Sequence, residues 1–268
     1  MLAKILILWF ALSSLGFGAS TKFVIVNGSK EFSFTKKELL NRKDLVSLSI
    51  PLLNYPGKKL KVDAVPIKAL LDETQLGKDQ IVMFNCLDGF AGPLEKSLLV
   101  ADEPGQSKAY LAIEPDSKWP PLPKNADQTA GPFYLVWANP EFSEIPPEHW
   151  PYQLIGFRFE HDLKSVFPKI VPESGGKLVD SGFLVYKRRC MSCHTINHQG
   201  TSQMGPDLNQ PMNPVDYFKE DALRKFLRKP SSVRAWKGMK MRWVGDNTLS
   251  DAEVNSILAY LKFMNKKR

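Results

Sequence analysis

Two of the chain's three cysteines and one of its four histidines occupy five consecutive positions, Cys190-Met191-Ser192-Cys193-His194. A C-x-x-C pair suits three chemistries: a dithiol redox centre, part of a zinc site, or the covalent attachment of haem. A thioredoxin-type redox pair needs an amino-terminal βαβ setting, whereas the residues before this pair, Tyr186-Lys187-Arg188-Arg189, read as helix. A zinc site needs two further ligands, and only His198 lies nearby. For haem, the two thiols add to the vinyl groups as thioethers, and the adjacent imidazole meets the iron from the same turn. Two intervening residues match the separation of the vinyls along the macrocycle edge. The motif therefore predicts one covalent haem c on Cys190 and Cys193, with His194 as an iron ligand.

The elements that must hold this motif are legible around it. In LSDAEVNSILAYLKFM, Ser250 followed three residues later by Glu253 predicts a capping box and a helix start. Val254, Ile257, Leu258, Leu261 and Met264 then recur at helical spacing, an apolar stripe expected in the core. Its expected partner is the helix carrying Gly182 and Tyr186, where a glycine permits close approach. Between them, residues 216–230 read as one amphipathic helix with Tyr217, Phe218, Ala222, Leu223 and Phe226 inward and Pro230 beyond its end.

Residues 176–266 resemble the class I cytochromes c. Gly182 and Tyr186 stand eight and four residues before Cys190, as in that family's amino-terminal helix. The segment Gly205-Pro206-Asp207-Leu208 resembles the stretch whose proline carbonyl accepts a hydrogen bond from the proximal histidine. The resemblance implies that Pro206 orients His194, that the first and last helices cross, and that Tyr260 supplies an aromatic contact there. A sixth ligand is also implied, and a thioether sulfur, soft and neutral, favours ferrous iron. Met264 belongs to the helix stripe, while Met204 and Met212 flank the segment expected on the His194 side. The stretch 230–253 resembles the family's ligand loop, whose Lys-Met pair precedes the last helix. That register selects Met241 over its alternative Met239, although Arg242 replaces the usual following proline. Trp236 and Trp243 are candidate donors to a haem propionate.

A chain of 268 residues, 43% hydrophobic, is long for one compact unit, and two domains are expected. MLAKILILWFALSSLGFGAS carries Lys4, an apolar run from Ile5 to about Leu15 and small residues to Ser20. It reads as a secretory signal too short for a good membrane span, an uncleaved anchor being the alternative. A periplasmic location follows. From residue 176 onward seventeen Lys and Arg face eight Asp and Glu, so the whole-chain charge of +8 belongs to the carboxyl-terminal part. Redox proteins with acidic surfaces are the expected partners, not nucleic acid, and a membrane only through a respiratory partner or an uncleaved signal.

Before the motif, KFVIVNGSKEFSF reads as a strand and turn, IVMFN, KAYLAI, FYLVWA and QLIGFRFE as further strands, Thr35 and Glu38 as a helix cap, and residues 65–71 as a helix with proline in its first turn. Residues 22–162 resemble the molybdopterin-binding domain of the sulfite oxidase family, through Asp88-Gly89-Phe90 after one strand and Gly131-Pro132-Phe133 opening another. The resemblance implies a metal thiolate where Cys86 stands. A small buried thiol is the reading preferred, because the family's Arg, His and Lys cluster is missing and the leader lacks the twin arginines of folded export. Molybdenum cofactor is therefore not expected. The expected organisation is a signal at 1–20, an α+β domain at 21–166, a linker at 167–177 and an all-α cytochrome c fold at 178–268. The expected function is electron transfer through the haem, with the front domain docking or positioning partners. The alternative is a molybdenum-dependent, sulfite dehydrogenase-like oxidoreductase with the haem as internal acceptor.

Overall fold

The computed structural model describes residues 21–51, 59–74, 81–123, 125–237, 239, 241 and 249–268. The expected leader at 1–20 and Trp243 lie outside them.

The front part is a nine-stranded sheet with short helices. Strands β1 (Lys22–Asn27) and β2 (Lys30–Thr35) form a hairpin, of which the first strand and the turn were expected. Thr35 then caps α1 (Lys36–Leu40): its Oγ1 accepts from the Glu38 N–H at 3.2 Å, and the Glu38 carboxylate accepts from the Thr35 N–H at 2.7 Å. There follow β3 (Val46–Pro51), β4 (Lys59–Pro66), α2 (Ile67–Asp72), β5 (Ile81–Cys86), β6 (Ala91–Glu95), α3 (Lys96–Leu99), β7 (Lys108–Ile113), β8 (Phe133–Ala138) and β9 (Tyr152–Glu160). The main path runs β2-β1-β9-β8-β7-β4-β3, with β5 joining β9 and β6 joining β5. Among the described residues only β1 and β9 pair in parallel. Strand β9 meets three neighbours, which is why its sequence is apolar at most positions instead of strictly alternating.

Strands β3, β4 and β6 were not expected. In β4 the alternation is there to be read, with Val62 and Ala64 inward and Lys61 and Asp63 outward. Strand β6 is disguised by Gly92 and Pro93, which it tolerates because its far edge carries no neighbour in the sheet.

The back part is helical: α4 (Leu163–Val166), α5 (Lys177–Arg189), α6 (Pro214–Tyr217), α7 (Glu220–Arg228), α8 (Pro230–Val233) and α9 (Asp251–Asn265). The predicted capping box opens α9, and Val254, Ile257, Leu258, Leu261 and Met264 are all buried. Helices α5 and α9 cross at Gly182, where a Cβ would stand 2.0 Å from the Ser256 carbonyl oxygen, so only glycine fits. Beside it Tyr260 packs against Tyr186 and Phe183, with ring centres 5.5 and 5.7 Å apart.

The single helix expected over 216–230 is corrected to three short ones. Asn213 caps α6 with Pro214 in its first turn, Phe218 and Lys219 are extended, and Pro230, beyond the end of α7 as expected, also opens α8. Tyr217 is consequently 55% exposed, not inward, and the buried residues of α7 are Leu223 and Leu227.

Residues 163–171 do not stand clear of the helices. Leu163 and Ile170 are buried in the helical cluster, and the Tyr260 hydroxyl donates to the Ile170 carbonyl at 2.6 Å. Met83 of β5 joins the same cluster, so the sheet and the helices share apolar contact.

Candidate functional site

Helix α5 ends at the motif, and its last turn builds the site. The N–H groups of Cys190 and Met191 both donate to the Tyr186 carbonyl at 2.9 Å, and those of Cys193 and His194 donate to the Cys190 carbonyl at 3.0 and 2.9 Å. Both thiols and the imidazole thus hang on one tight turn. The following loop is tied back to it. Gly205 N–H donates to the Cys193 carbonyl and Leu208 N–H to the Thr195 carbonyl, both at 2.8 Å. Gly205 lies so close to the His194 ring that a Cβ would stand 2.4 Å from the ring carbon Cε1.

The expected partner of His194 is in place. His194 Nδ1 lies 2.7 Å from the Pro206 carbonyl oxygen. A carbonyl can only accept, so Nδ1 carries the proton and Nε2 keeps its lone pair. Burial holds His194 below the ordinary histidine value, against the Pro206 hydrogen bond and the Asp207 charge, which favours the neutral, ligating imidazole. The Tyr186 hydroxyl also donates to the His194 carbonyl at 2.8 Å, a contact the sequence reading missed.

Burial, aided by the Glu148 charge, pushes the Cys190 thiol up to about 12. A dithiol redox centre needs the opposite, a depressed value that supplies thiolate. Among the described residues no three His, Cys, Asp or Glu side chains gather as a group able to hold a metal ion, which leaves the zinc reading without ligands. The fit to a covalently held haem is better: two thiols on one turn, and an imidazole oriented through Nδ1 with Nε2 available.

Of the candidate sixth ligands, Met239 is buried and Met241 half-buried, while Lys240 and residues 242–248 lie outside the described residues. Met264 packs in the core, as expected, and Met204 and Met212 are exposed. Trp236 is exposed.

Two features of the surroundings had no sequence signal. The loop after the motif is pinned by buried amides: Asn209 Nδ2 donates to Asn197 Oδ1 at 2.7 Å and to the Met264 carbonyl at 2.9 Å, and Asn213 Nδ2 donates to Asn209 Oδ1 at 2.8 Å and to the Leu261 carbonyl at 3.0 Å. The front sheet also closes on the motif. Thr201 Oγ1 donates to the Ala91 carbonyl of β6 at 2.7 Å, and a Cβ on Gly92 would lie 3.3 Å from Ser192 Cβ. Three consecutive bases of α5 are taken up by the same face: Lys187 pairs with Glu95, Arg188 donates to the Glu144 carbonyl, and Arg189 lies 3.5 Å from the Glu148 carboxylate.

Cys86 ends β5 within the apolar core of the sheet. Its N–H donates to the Phe90 carbonyl at 2.9 Å, and burial raises its thiol pKa, with the Asp88 charge adding to the effect.

Residues 179–265, about a third of the chain, match the sequence model of the family described as Cytochrome c. That segment is a cytochrome c domain, and with it come a covalently held haem and electron transfer as the class of chemistry. No curated protein sequence matches the chain significantly. Among solved structures, the sulfane dehydrogenase SoxCD from Paracoccus pantotrophus is 15% identical with a TM-score of 0.35, over 53% of this chain and 38% of that one. The chain thus spans well under half of that protein's length. Among the described residues no helix is long and apolar enough to cross a membrane.

Proposed function

We propose that this chain is a periplasmic electron carrier that holds one haem c through Cys190 and Cys193, with His194 as proximal ligand and a front domain that positions its redox partners. The observation that carries this reading is the His194 Nδ1 contact with the Pro206 carbonyl, 2.7 Å long, on the same turn as both thiols. The haem would supply a one-electron couple between ferrous and ferric iron. The chain's own residues do the rest. Pro206 fixes the tautomer and direction of His194, Tyr186 holds its main chain, and Gly205 permits the loop to lie against the ring. A methionine of the loop after α8 is the proposed sixth ligand, favouring the ferrous state. The register of the loop supports Met241, and burial supports Met239.

Expression in cells equipped for cytochrome maturation tests the reading. A pyridine haemochrome spectrum of a dithioether haem, with one haem per chain by intact mass, is expected, and Cys190→Ala with Cys193→Ala should abolish it. A colourless wild-type chain of bare polypeptide mass would refute it. The weak near-infrared methionine-to-ferric-iron band should vanish in Met241→Ala or in Met239→Ala, and the variant that loses it names the ligand. The position of Cys86 in the apolar core supports a packing role and a docking module in front. Stoichiometric molybdenum in protein from a host making both cofactors would instead favour the oxidoreductase.

A further inference from the structure

The charged groups that the front domain buries against the haem-attachment turn belong to no role assigned so far. The 3₁₀ turn at Pro147–His149 brings Glu148 against the carboxyl end of α5, where its carboxylate lies 3.5 Å from Arg189 Nε. Both side chains are largely enclosed, at 16% and 6% exposure. His149 beside them is buried, burial holds it down to about 3, and its Nδ1 makes no hydrogen bond. It is therefore neutral, so the charges that meet here are those of Glu148 and the α5 bases; burial raises the Glu148 carboxyl, and the Arg189 charge acts against that rise and favours the carboxylate. The Glu148 charge reaches the Cys190 thiol, which it helps burial to push up.

We propose that Glu148 is a positioning residue of the front domain that sets the electron affinity of the haem, its negative charge offset locally by Arg189. The inference rests on the haem being attached at Cys190. The sign follows from electrostatics: a carboxylate held near the group in a water-poor setting favours the ferric state, and a guanidinium favours the ferrous state. The pair nearly cancels while intact, so removing one member unmasks the other. The front domain would thus act on electron transfer through the potential as well as through docking, and any movement that draws the Pro147–His149 turn away from α5 would shift that potential.

The test uses the full, haem-loaded chain and a spectroelectrochemical midpoint potential at fixed pH and ionic strength. Glu148→Gln should raise the potential, Arg189→Gln should lower it, and the double variant should return towards wild type, a cancellation that loss of packing alone would not produce. Glu144→Gln is the control, because Glu144 is exposed and engages Arg188 only through its carbonyl, so the same change in net charge should leave the potential unmoved. An unchanged potential in Glu148→Gln with intact haem, or equal shifts in Glu148→Gln and Glu144→Gln, would overturn the proposal. Absence of haem from wild-type protein would instead defeat the function reading. Far-UV circular dichroism of each variant separates misfolding from tuning, and a misfolded Glu148→Gln is replaced by Glu148→Asn, for which the same upward shift is required.

Discussion

Replacing Gly182 by alanine sets two physical effects of opposite sign against each other. In an exposed helix the change would stabilise by about 1 kcal/mol, because glycine loses more chain entropy on folding. Here the new Cβ would stand 2.0 Å from the Ser256 carbonyl oxygen, 2.6 Å from its carbon and 2.7 Å from Tyr260 Cβ. Two of those atoms are main chain within α9, so no rotamer change relieves the contact. A carbon–oxygen contact settles near ~3.3 Å, so the helices must part by roughly 1 Å. A gap of that size forfeits a quarter to a half of the dispersion along the seam, and overpacking of this kind costs about 3 kcal/mol. The net expectation is a loss of about 2 kcal/mol, or roughly 10 °C in Tm for a domain under 100 residues. Thermal unfolding of the haem-loaded chain, followed by circular dichroism and the Soret band, measures it. Ser181→Ala, one residue away and exposed, should gain about 0.5 kcal/mol or less. If Gly182→Ala raised the Tm alongside Ser181→Ala, the α5–α9 crossing described here would be wrong.

Asn209→Ala should cost about 2 to 3 kcal/mol in urea unfolding, since it strips a fully buried amide from the Asn197 side chain and the Met264 carbonyl. Burial acts to raise the pKa of Asp207, but the N–H groups of Asn209, His198 and Gln210 outweigh it, so its folded value lies below 3.8. The Asp207 contribution is therefore full above that unfolded value and is lost as pH falls through the lower folded one; Asp207→Asn should flatten the acid limb of the stability curve below about pH 4. Thr201→Val removes donation to the Ala91 and Met191 carbonyls and should weaken the seam between domains by about 1 kcal/mol, seen as faster amide exchange in β6 with little change in the sheet core.

The haem turn and its last helix were legible because their signals are local. C-x-x-C-H, a Ser-x-x-Glu cap and a 3.6-residue stripe each lie within one element, and the glycine at 182 announces a close crossing. What escaped the sequence depends on residues far apart in the chain. Strand β6 was hidden because an edge strand admits Gly92 and Pro93, and the helix over 216–230 is interrupted at the extended Phe218 and Lys219, between the short helix that Asn213 caps and α7. Asn209 and Asn213 resemble ordinary loop residues until the carbonyls of Leu261 and Met264 are seen to need donors. Glu148 gave no sign at all, since its partner is a base forty-one positions away in the chain.

That last point changes where a partner would meet the domain. The surplus of positive charge after residue 176 suggested a broad basic face, but Lys187, Arg188 and Arg189 are spent on the front domain. Arg224 and Arg228 lie on Glu220 and Asp251. Exposed bases outside those pairs include Lys225, Lys229, Arg234 and Lys237, and Arg234 sits 5.9 Å over the exposed Trp236 ring, which makes Arg234 a candidate for steering an acidic partner. Arg234→Glu should therefore slow oxidation of the ferrous protein by ferricyanide several-fold at low salt. Above about 0.5 M salt, where the screening length falls to a few ångströms, the difference should fade. The same substitution should speed oxidation by a cationic complex. Lys187→Glu, by contrast, should act on the Glu95 contact and the seam, with little effect on the salt slope. If Lys187→Glu changed that slope and Arg234→Glu did not, electrons would leave beside the front domain, and the docking face would have to be moved there.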